Sequence, residues 1–289
     1  MAKLNITPER SIDALKVAKE SGQLKPKHIK ALADLISDIR PKMVDKLPKR
    51  KTVSKTPDPA IKAELIKKLN LEVQYSECFD TLKHYGFLTE NGKARKGDIK
   101  PPSFEKVMSA FRPEELEIAS RFQKPTLLLI PETSFASKVK ALDAHKQGMQ
   151  QNNTYVDTIY TDSGFDKITG WRAVIVDGAR VMEAYEGDDP DLRFDERIKN
   201  RKAARRPGEK GMDRHRYALL MMEAIRNGNP IDQKLFTLLE DDPALSDSLI
   251  PIAGFRKHDC SIFFRLNGLK NVHGYAQLRS SVGGDVLLV

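Results

Sequence analysis

Apolar residues recur along this 289-residue chain with two different spacings, and each spacing predicts a different kind of element. Before Lys124 they return every three or four positions, which is the period of an amphipathic helix. We predict two helices before Pro41 and two more over residues 60–69 and 73–85, the last closed by Gly86. From Lys124 onward, short apolar runs bounded by proline or glycine predict strands.

The part of the chain after Lys124 predicts strands on both sides of a helical middle. The runs TLLLIP, TYVDTIY and GWRAVIVDG are typical of strands, and SIFFRL, YAQLR and DVLLV predict a β-rich end. Helical spacing between them predicts helices over residues 133–146 and from Asp213 to Arg226. The predicted fold class is therefore α+β, with a helical N-terminal region followed by a mixed α+β domain and a β-rich C-terminal end.

Composition divides the chain further, because residues 42–59 are rich in Lys and Pro and lack apolar periodicity. Such a segment is typical of a basic linker. The predicted parts are N-terminal helices (1–41), the basic linker (42–59), a helical region with a small hairpin at Asn91-Gly92 (60–123) and the α+β domain (124–289).

Two helices followed by a hairpin also match the outline of a winged helix, in which the second helix contacts DNA. Here the second helix carries Glu72, Glu77 and Asp80 against Lys83. Acidic side chains repel phosphate, so we interpret these two helices as a helical packing unit.

Charge changes this picture, because the net charge of +9 is unevenly distributed. Residues 1–60 hold twice as many basic as acidic residues, and residues 193–216 hold 10 basic against 4 acidic. The intervening residues 181–192 carry five acidic residues and no basic one. Patches of one sign attract polyanions more strongly than the same charge spread evenly.

A repeat of arginines every four residues lies in the second of these patches. The predicted helix opens at Asp189-Pro190 and carries Arg193, Arg197, Arg201 and Arg205. Few apolar residues accompany them, so we expect this helix to be exposed or bound to a partner. Like charges four residues apart oppose helix formation unless an anion neutralises them, and the planar guanidinium group of arginine can bind phosphate through two hydrogen bonds. The alternative is a solvated helix face whose cations pair with nearby acids.

A second concentration of charge opens the following helix. Arg214, His215 and Arg216 fall in its first turn, after Asp213 as the predicted cap. Cations there oppose the helix dipole unless they meet an acid or an anion, and backbone N–H groups of that turn favour anions. The first turn therefore predicts a phosphate cradle, and Glu209 is an alternative partner for the same side chains.

Catalytic motifs are missing from the sequence. It contains no P-loop, Gly-x-Gly-x-x-Gly, His-Glu-x-x-His or Gly-x-Ser-x-Gly, and its six histidines and two cysteines are dispersed. We therefore predict no metal and no cofactor. Asp177, at the end of an apolar strand, is the best candidate for metal-assisted chemistry, although Asp-Gly is also a turn signal. The acids nearest to it in sequence are Asp157, Asp162, Glu183 and Asp188.

These observations predict a cytoplasmic, non-enzymatic protein that binds nucleic acid or another polyanion through its arginine-rich helices. The cytoplasm follows from two cysteines and the absence of a secretory signal, and no apolar run is long enough for a membrane span. One alternative is a metal-dependent phosphoryl-handling enzyme such as a nuclease, using Asp177. Another is a scaffold that docks on an acidic protein partner. The sequence predicts no particular oligomeric state.

Overall fold

The structure is a computed structural model. It describes residues 59–95, 98–144, 155–156, 168–180, 189–233, 235–239, 249–256, 261–268, 271 and 276–287. The predicted N-terminal helices (1–41) and all but the last residue of the basic linker lie outside these ranges. The described residues belong to one compact unit, Pro57–Val289.

Seven helices and two sheets lie in the described residues, so the α+β class is confirmed. The helices are α1 (Pro59–Lys68), α2 (Leu71–His84), α3 (Phe104–Ser109), α4 (Pro113–Ala119), α5 (Phe135–Ala144), α6 (Phe194–Ala204) and α7 (Arg214–Arg226). The strands are β1 (Pro125–Ile130), β2 (Tyr155–Val156), β3 (Trp171–Asp177), β4 (Glu209–Lys210), β5 (Phe236–Leu238), β6 (Leu249–Arg256), β7 (Ser261–Gly268), β8 (Ala276–Gln277) and β9 (Ser281–Leu287).

The first sheet has the strand order β1-β3-β9-β4 and is antiparallel throughout. Its register places Leu127 opposite Ile175 and Val174 opposite Gly283. Nearly all side chains of β1 and β3 are buried, which explains why their sequences are continuous apolar runs rather than alternating ones. The strands predicted from TLLLIP and GWRAVIVDG are therefore confirmed.

The second sheet has the order β2-β7-β6-β5-β8 and contains most of the C-terminal strands. The long antiparallel pair β6 and β7 lies near its centre, with Phe255 opposite Ile262. Short parallel pairings of β2 with β7 and of β8 with β5 complete it. The predicted β-rich C-terminal end is confirmed for these residues.

Helix α2 packs on the edge strand β1 and so behaves as a packing helix. Its Gln74 side chain accepts a hydrogen bond from the Leu127 backbone N–H at 2.6 Å and donates one to the Pro125 carbonyl at 3.2 Å. The Cys78 thiol donates to the Leu127 carbonyl at 3.0 Å. These contacts satisfy backbone groups that an open sheet edge exposes.

The small hairpin predicted at Asn91-Gly92 is wrong, because residues 86–95 form turns and no strands. The chain does reverse here, and the Thr89 N–H donates to the Lys93 carbonyl at 3.0 Å. Leu88 is buried in the core beside the turn instead of standing in a strand. A turn signal thus predicted the reversal but not strand pairing.

One large apolar core joins the helices before Lys124 to the sheet and helix α7 after it. Leu71 and Phe111 from the helical region belong to the same cluster as Val174 and Met221. A second, smaller cluster forms where Phe194 of α6 packs against the second sheet. The regions 60–123 and 124–289 therefore share a core in the described part of the chain.

A wholly buried ion pair, Arg279 with Asp232, links elements of both sheets. The two groups lie 2.5 Å apart, and the Asp232 carboxylate also accepts hydrogen bonds from Tyr217 and Thr237. Arg279 additionally donates to the carbonyl of Asp177, at the end of β3. Because a buried charge must be compensated, these partners make the pair a structural centre of the fold.

Gly228 lies just after the C-terminal end of helix α7, in the left-handed conformation with φ of +70°. The following Asn229 N–H donates to the Ala224 carbonyl at 2.8 Å, and no other atom lies within 4 Å of an added Cβ. We expect Gly228→Ala to lower the free energy of unfolding by about 1–2 kcal/mol through backbone strain alone. Urea denaturation measures this change. Gly228→Asn is the matched control and should cost less, because asparagine adopts this conformation more readily; equal losses would contradict the explanation.

Candidate anion-binding site

The first turn of α7 is positioned by its cap. The Asp213 carboxylate accepts a hydrogen bond from the Arg216 backbone N–H at 2.8 Å, as predicted for an N-cap residue. Arg214, His215 and Arg216 follow, and all three side chains are buried. The structure thus turns the charged first turn of the helix inward.

Two of these side chains lie against Phe135, the first residue of α5. The Arg214 guanidinium stands over the Phe135 ring, 5.6 Å from its centroid, and the His215 ring meets the same ring edge-to-face at 5.8 Å. Lys138, one turn further along α5, is wholly buried and donates to the Thr133 carbonyl at 3.1 Å. Stacking on Phe135 and hydrogen bonding to Thr133 therefore hold one buried cation from each of two helices, Arg214 and Lys138.

The pKa of His215 reflects both its burial and the positive charges around it. Burial is the largest cause that lowers its pKa, to about 2, so the imidazole is neutral at physiological pH. The remaining causes are the positive charges of Lys138, Arg214, Arg172 and Arg216. We call these four residues and His215 the basic cluster.

Buried atoms of the basic cluster that have no hydrogen-bond partner within the described residues include His215 Nδ1 and Arg172 Nε. The His215 side chain is only 6% exposed, and Arg172 is half-buried in β3. Buried polar groups are normally hydrogen-bonded, and an unmade bond costs about 1–3 kcal/mol. The cluster therefore has capacity to bond an additional polar group.

Arg216 also contacts residues that lie outside the basic cluster. Its guanidinium donates to the Gly211 carbonyl at 2.8 Å and lies 3.3 Å from the Asp213 carboxylate. Lys210, on β4, donates to the Gly283 carbonyl at 2.7 Å. Arg216 is thus fixed by the loop that precedes α7, and it contributes charge to the basic cluster from a defined position.

The arginine repeat before α7 does not form an exposed stripe, and that prediction is wrong. Arg197 and Arg201 are buried, with 1% and 4% of their surfaces exposed. They follow Phe194 by three and seven residues and therefore share its core-facing side of α6. The outward positions are taken by Lys199, Lys202 and their neighbours.

The buried arginines of α6 contact the chain itself. Arg197 donates to the Ala276 carbonyl at 2.8 Å, and Arg201 donates to the Ser280 hydroxyl at 2.5 Å. Arg201 also forms an ion pair with the Glu209 carboxylate. The lack of apolar residues predicts exposure of this helix, but carbonyl and carboxylate acceptors allow arginine at its core-facing positions.

The other two arginines of the repeat lie outside the helix. The Asp189-Pro190 segment forms a turn, in which the Asp189 carboxylate accepts from the Asp191 N–H at 2.9 Å, so the predicted helix start is wrong. Arg193 instead precedes α6 as its N-cap residue and pairs with Asp195 at 3.0 Å, and Arg205 follows α6 as its C-cap residue. The structure therefore does not bring the four arginines together as one surface.

Lys138 and Arg172 were missed by sequence reasoning, because both stand among apolar residues. Lys138 follows Phe135 by three positions, on the buried stripe of α5, and Arg172 lies within the apolar strand β3. The sequence signal that could have revealed these two residues is a charged residue at a position where the spacing of apolar residues predicts burial.

Asp177, the candidate for metal-assisted chemistry, is wholly buried at the end of β3. Its carboxylate accepts backbone hydrogen bonds from Gln123 at 2.9 Å, Lys124 at 3.1 Å and Ala179 at 3.2 Å. This geometry is that of a turn cap. No group of three potential metal ligands occurs in the described part of the chain. The remaining acids of that hypothesis lie outside the described residues: Asp157, Asp162, Glu183 and Asp188.

No protein family, curated protein or solved structure matches this chain. Among the helices that the structure describes, none has the length and apolar character needed to cross a membrane.

Proposed function

We propose that this protein binds nucleic acid or another phosphate polyanion without catalysing a reaction, and that one phosphate group of the ligand enters the basic cluster. The observation that supports the proposal is the packing of Arg214 and His215 on the Phe135 ring, where the charges of Lys138, Arg172 and Arg216 also act on the neutral imidazole. The proposed place of action is the cytoplasm, where the free thiol of Cys78 stays reduced.

The chemistry of the basic cluster suits a phosphate group. A buried arginine attracts an anion more strongly than a solvated one, because the local dielectric constant is lower and less screening occurs. Phosphate oxygens accept hydrogen bonds from guanidinium groups, and the unbonded Nε of Arg172 is such a donor. The neutral His215 ring adds a hydrogen-bonding atom without adding a further charge.

The depth of the cluster selects among polyanions. Arg214 and His215 are 3% and 6% exposed, so the regular backbone of a rigid duplex has poor access to them. A single strand or a terminal phosphate is flexible enough to present one phosphate group to a recessed site. We therefore expect single-stranded nucleic acid with a terminal phosphate to bind more tightly than a duplex of the same sequence.

Replacing Arg172 by glutamine tests this function. We expect the variant to bind a 5′-phosphorylated single-stranded oligonucleotide about ten- to a hundredfold more weakly, the effect of losing one charge-assisted hydrogen bond. Fluorescence anisotropy at several salt concentrations measures affinity, and wild-type binding should weaken steeply with salt. Circular dichroism verifies that the variant is folded.

The matched control is Lys202→Gln, which removes an exposed cation on the outer face of α6. It should change affinity less than twofold, because a solvated cation is screened. Equal weakening by both substitutions would place binding on the general surface charge and contradict the proposal. Absence of binding to both RNA and DNA strands at physiological salt would favour the acidic-protein scaffold instead.

A further inference from the structure

A cavity of about 240 Å³ lies near the opposite end of α7 from the basic cluster. It is open to solvent on one side and is lined by the start of β1, the turn after β3 and the C-terminal half of α7. Its charged lining residues are Lys124, Arg180 and Glu223, and its apolar floor includes Leu220 and Ile231. The cavity is smaller than the roughly 300–1,000 Å³ pockets of drug-sized ligands, so it suits a molecule of metabolite size.

Glu223 is the unusual member of this lining. Its carboxylate has no hydrogen bond and no ion pair with any residue that the structure describes, although the residue is half-buried. The pKa of Glu223 is raised to about 7, chiefly by burial; Lys124 and Arg226 lower it, and Glu77 of α2 contributes to the rise. A recessed carboxylate without a donor is a ready acceptor for a ligand ammonium group.

The cavity also carries positive charge at its rim. Lys124 is exposed and forms no ion pair within the described residues, and Arg180 is held by a 2.9 Å hydrogen bond to the Gln233 side chain. These two cations suit a ligand carboxylate, whereas Leu220 and Ile231 suit an aliphatic group. Acid, base and apolar surface thus occupy one small cavity.

We propose that this cavity binds a small aliphatic α-amino acid as its zwitterion, with the ammonium group on Glu223 and the carboxylate between Lys124 and Arg180. The site is separate from the basic cluster and does not depend on polyanion binding. Because the ammonium group needs the ionised form of Glu223, the affinity rises as pH increases from 6 to 8. The titratable and charged groups that face Glu223 are Lys124, Arg180, Glu77, Arg226 and the thiol of Cys78.

Isothermal titration of the full chain with L-leucine tests the proposal. We expect saturable binding in the millimolar range or tighter at pH 8, and about tenfold weaker binding at pH 6. N-acetyl-L-leucine lacks the ammonium group and 3-methylbutylamine lacks the carboxylate, so each should bind at least tenfold more weakly. Glu223→Gln should weaken leucine binding about tenfold and abolish its pH dependence.

Two controls separate the contacts. Glu77→Gln, near the cavity but outside its lining, should preserve leucine affinity within about twofold. Lys124→Gln should weaken binding of leucine but not of 3-methylbutylamine. The proposal is overturned if the folded protein does not bind leucine at about 10 mM, if the two analogues bind as well as leucine, or if Glu223→Gln leaves binding unchanged.

Discussion

Replacing Arg279 by methionine is expected to lower the free energy of unfolding by about 3–5 kcal/mol. Arg279 and Asp232 are 0% and 1% exposed, and their ion pair has no contact with solvent. Removing the guanidinium leaves the Asp232 carboxylate buried without its counter-charge. The carbonyls of Asp177 and Ala179 also lose a donor, since both accept from the same guanidinium nitrogen.

Urea denaturation followed by circular dichroism measures this loss. Arg193→Met is the matched control, because Arg193 pairs with Asp195 at the surface, where an ion pair contributes about 0–1 kcal/mol. Replacing both members of the buried pair, with Asp232→Asn added to Arg279→Met, should recover part of the stability. A loss no larger than that of the control would show that the buried pair does not hold the sheets together.

The second prediction is that the two ends of α7 respond to pH in opposite directions. His215 has a pKa of about 2 in the folded protein against 6.5 as the ordinary value, so its contribution to stability is complete above pH 6.5 and falls as pH decreases. Glu223 has a pKa of about 7 against 4.5, so its contribution is complete below pH 4.5 and is lost as pH rises to 7. For each residue, the free energy of unfolding changes by up to about 1.4 kcal/mol per pH unit.

Between pH 4.5 and 6.5 the two pH dependences of the free energy of unfolding largely cancel in the wild type. A single substitution at either residue reveals the contribution of the other. Glu223→Gln should leave a protein whose free energy of unfolding rises with pH, by up to about 2.7 kcal/mol more than the wild type over this window. His215→Gln should produce the opposite change. Urea denaturation at several pH values gives both slopes, and a parallel shift of either variant at all pH values would rule out the assigned titrations.

The elements that sequence reasoning predicted correctly are those whose signals are local. β1 and β3 arise from continuous apolar runs, and α7 begins at Arg214 because the Asp213 side chain caps its first turn. The hairpin at Asn91-Gly92 and the helix start at Asp189 failed for a common reason. Turn residues determine that the chain reverses, whereas strand pairing or helix growth depends on what the flanking residues pack against.

The candidate site was predictable in part. Arg214, His215 and Arg216 stand out in sequence because three basic side chains in a first turn oppose the helix dipole. Lys138 and Arg172 belong to other elements, and only packing brings them beside His215. The relation of Glu223 to Lys124 is likewise tertiary, since 99 positions separate them in the chain.

By itself, the sequence determined the α+β class, the buried strands, the capped helix α7 and the presence of concentrated positive charge. Only the tertiary structure decided which cations face inward. A helical repeat predicts which residues share a face of the helix. It does not predict that an arginine can occupy a core-facing position when a distant acceptor binds it, as the Ala276 carbonyl binds Arg197 across 79 residues. Burial of charge is thus determined by partners that the local pattern does not contain.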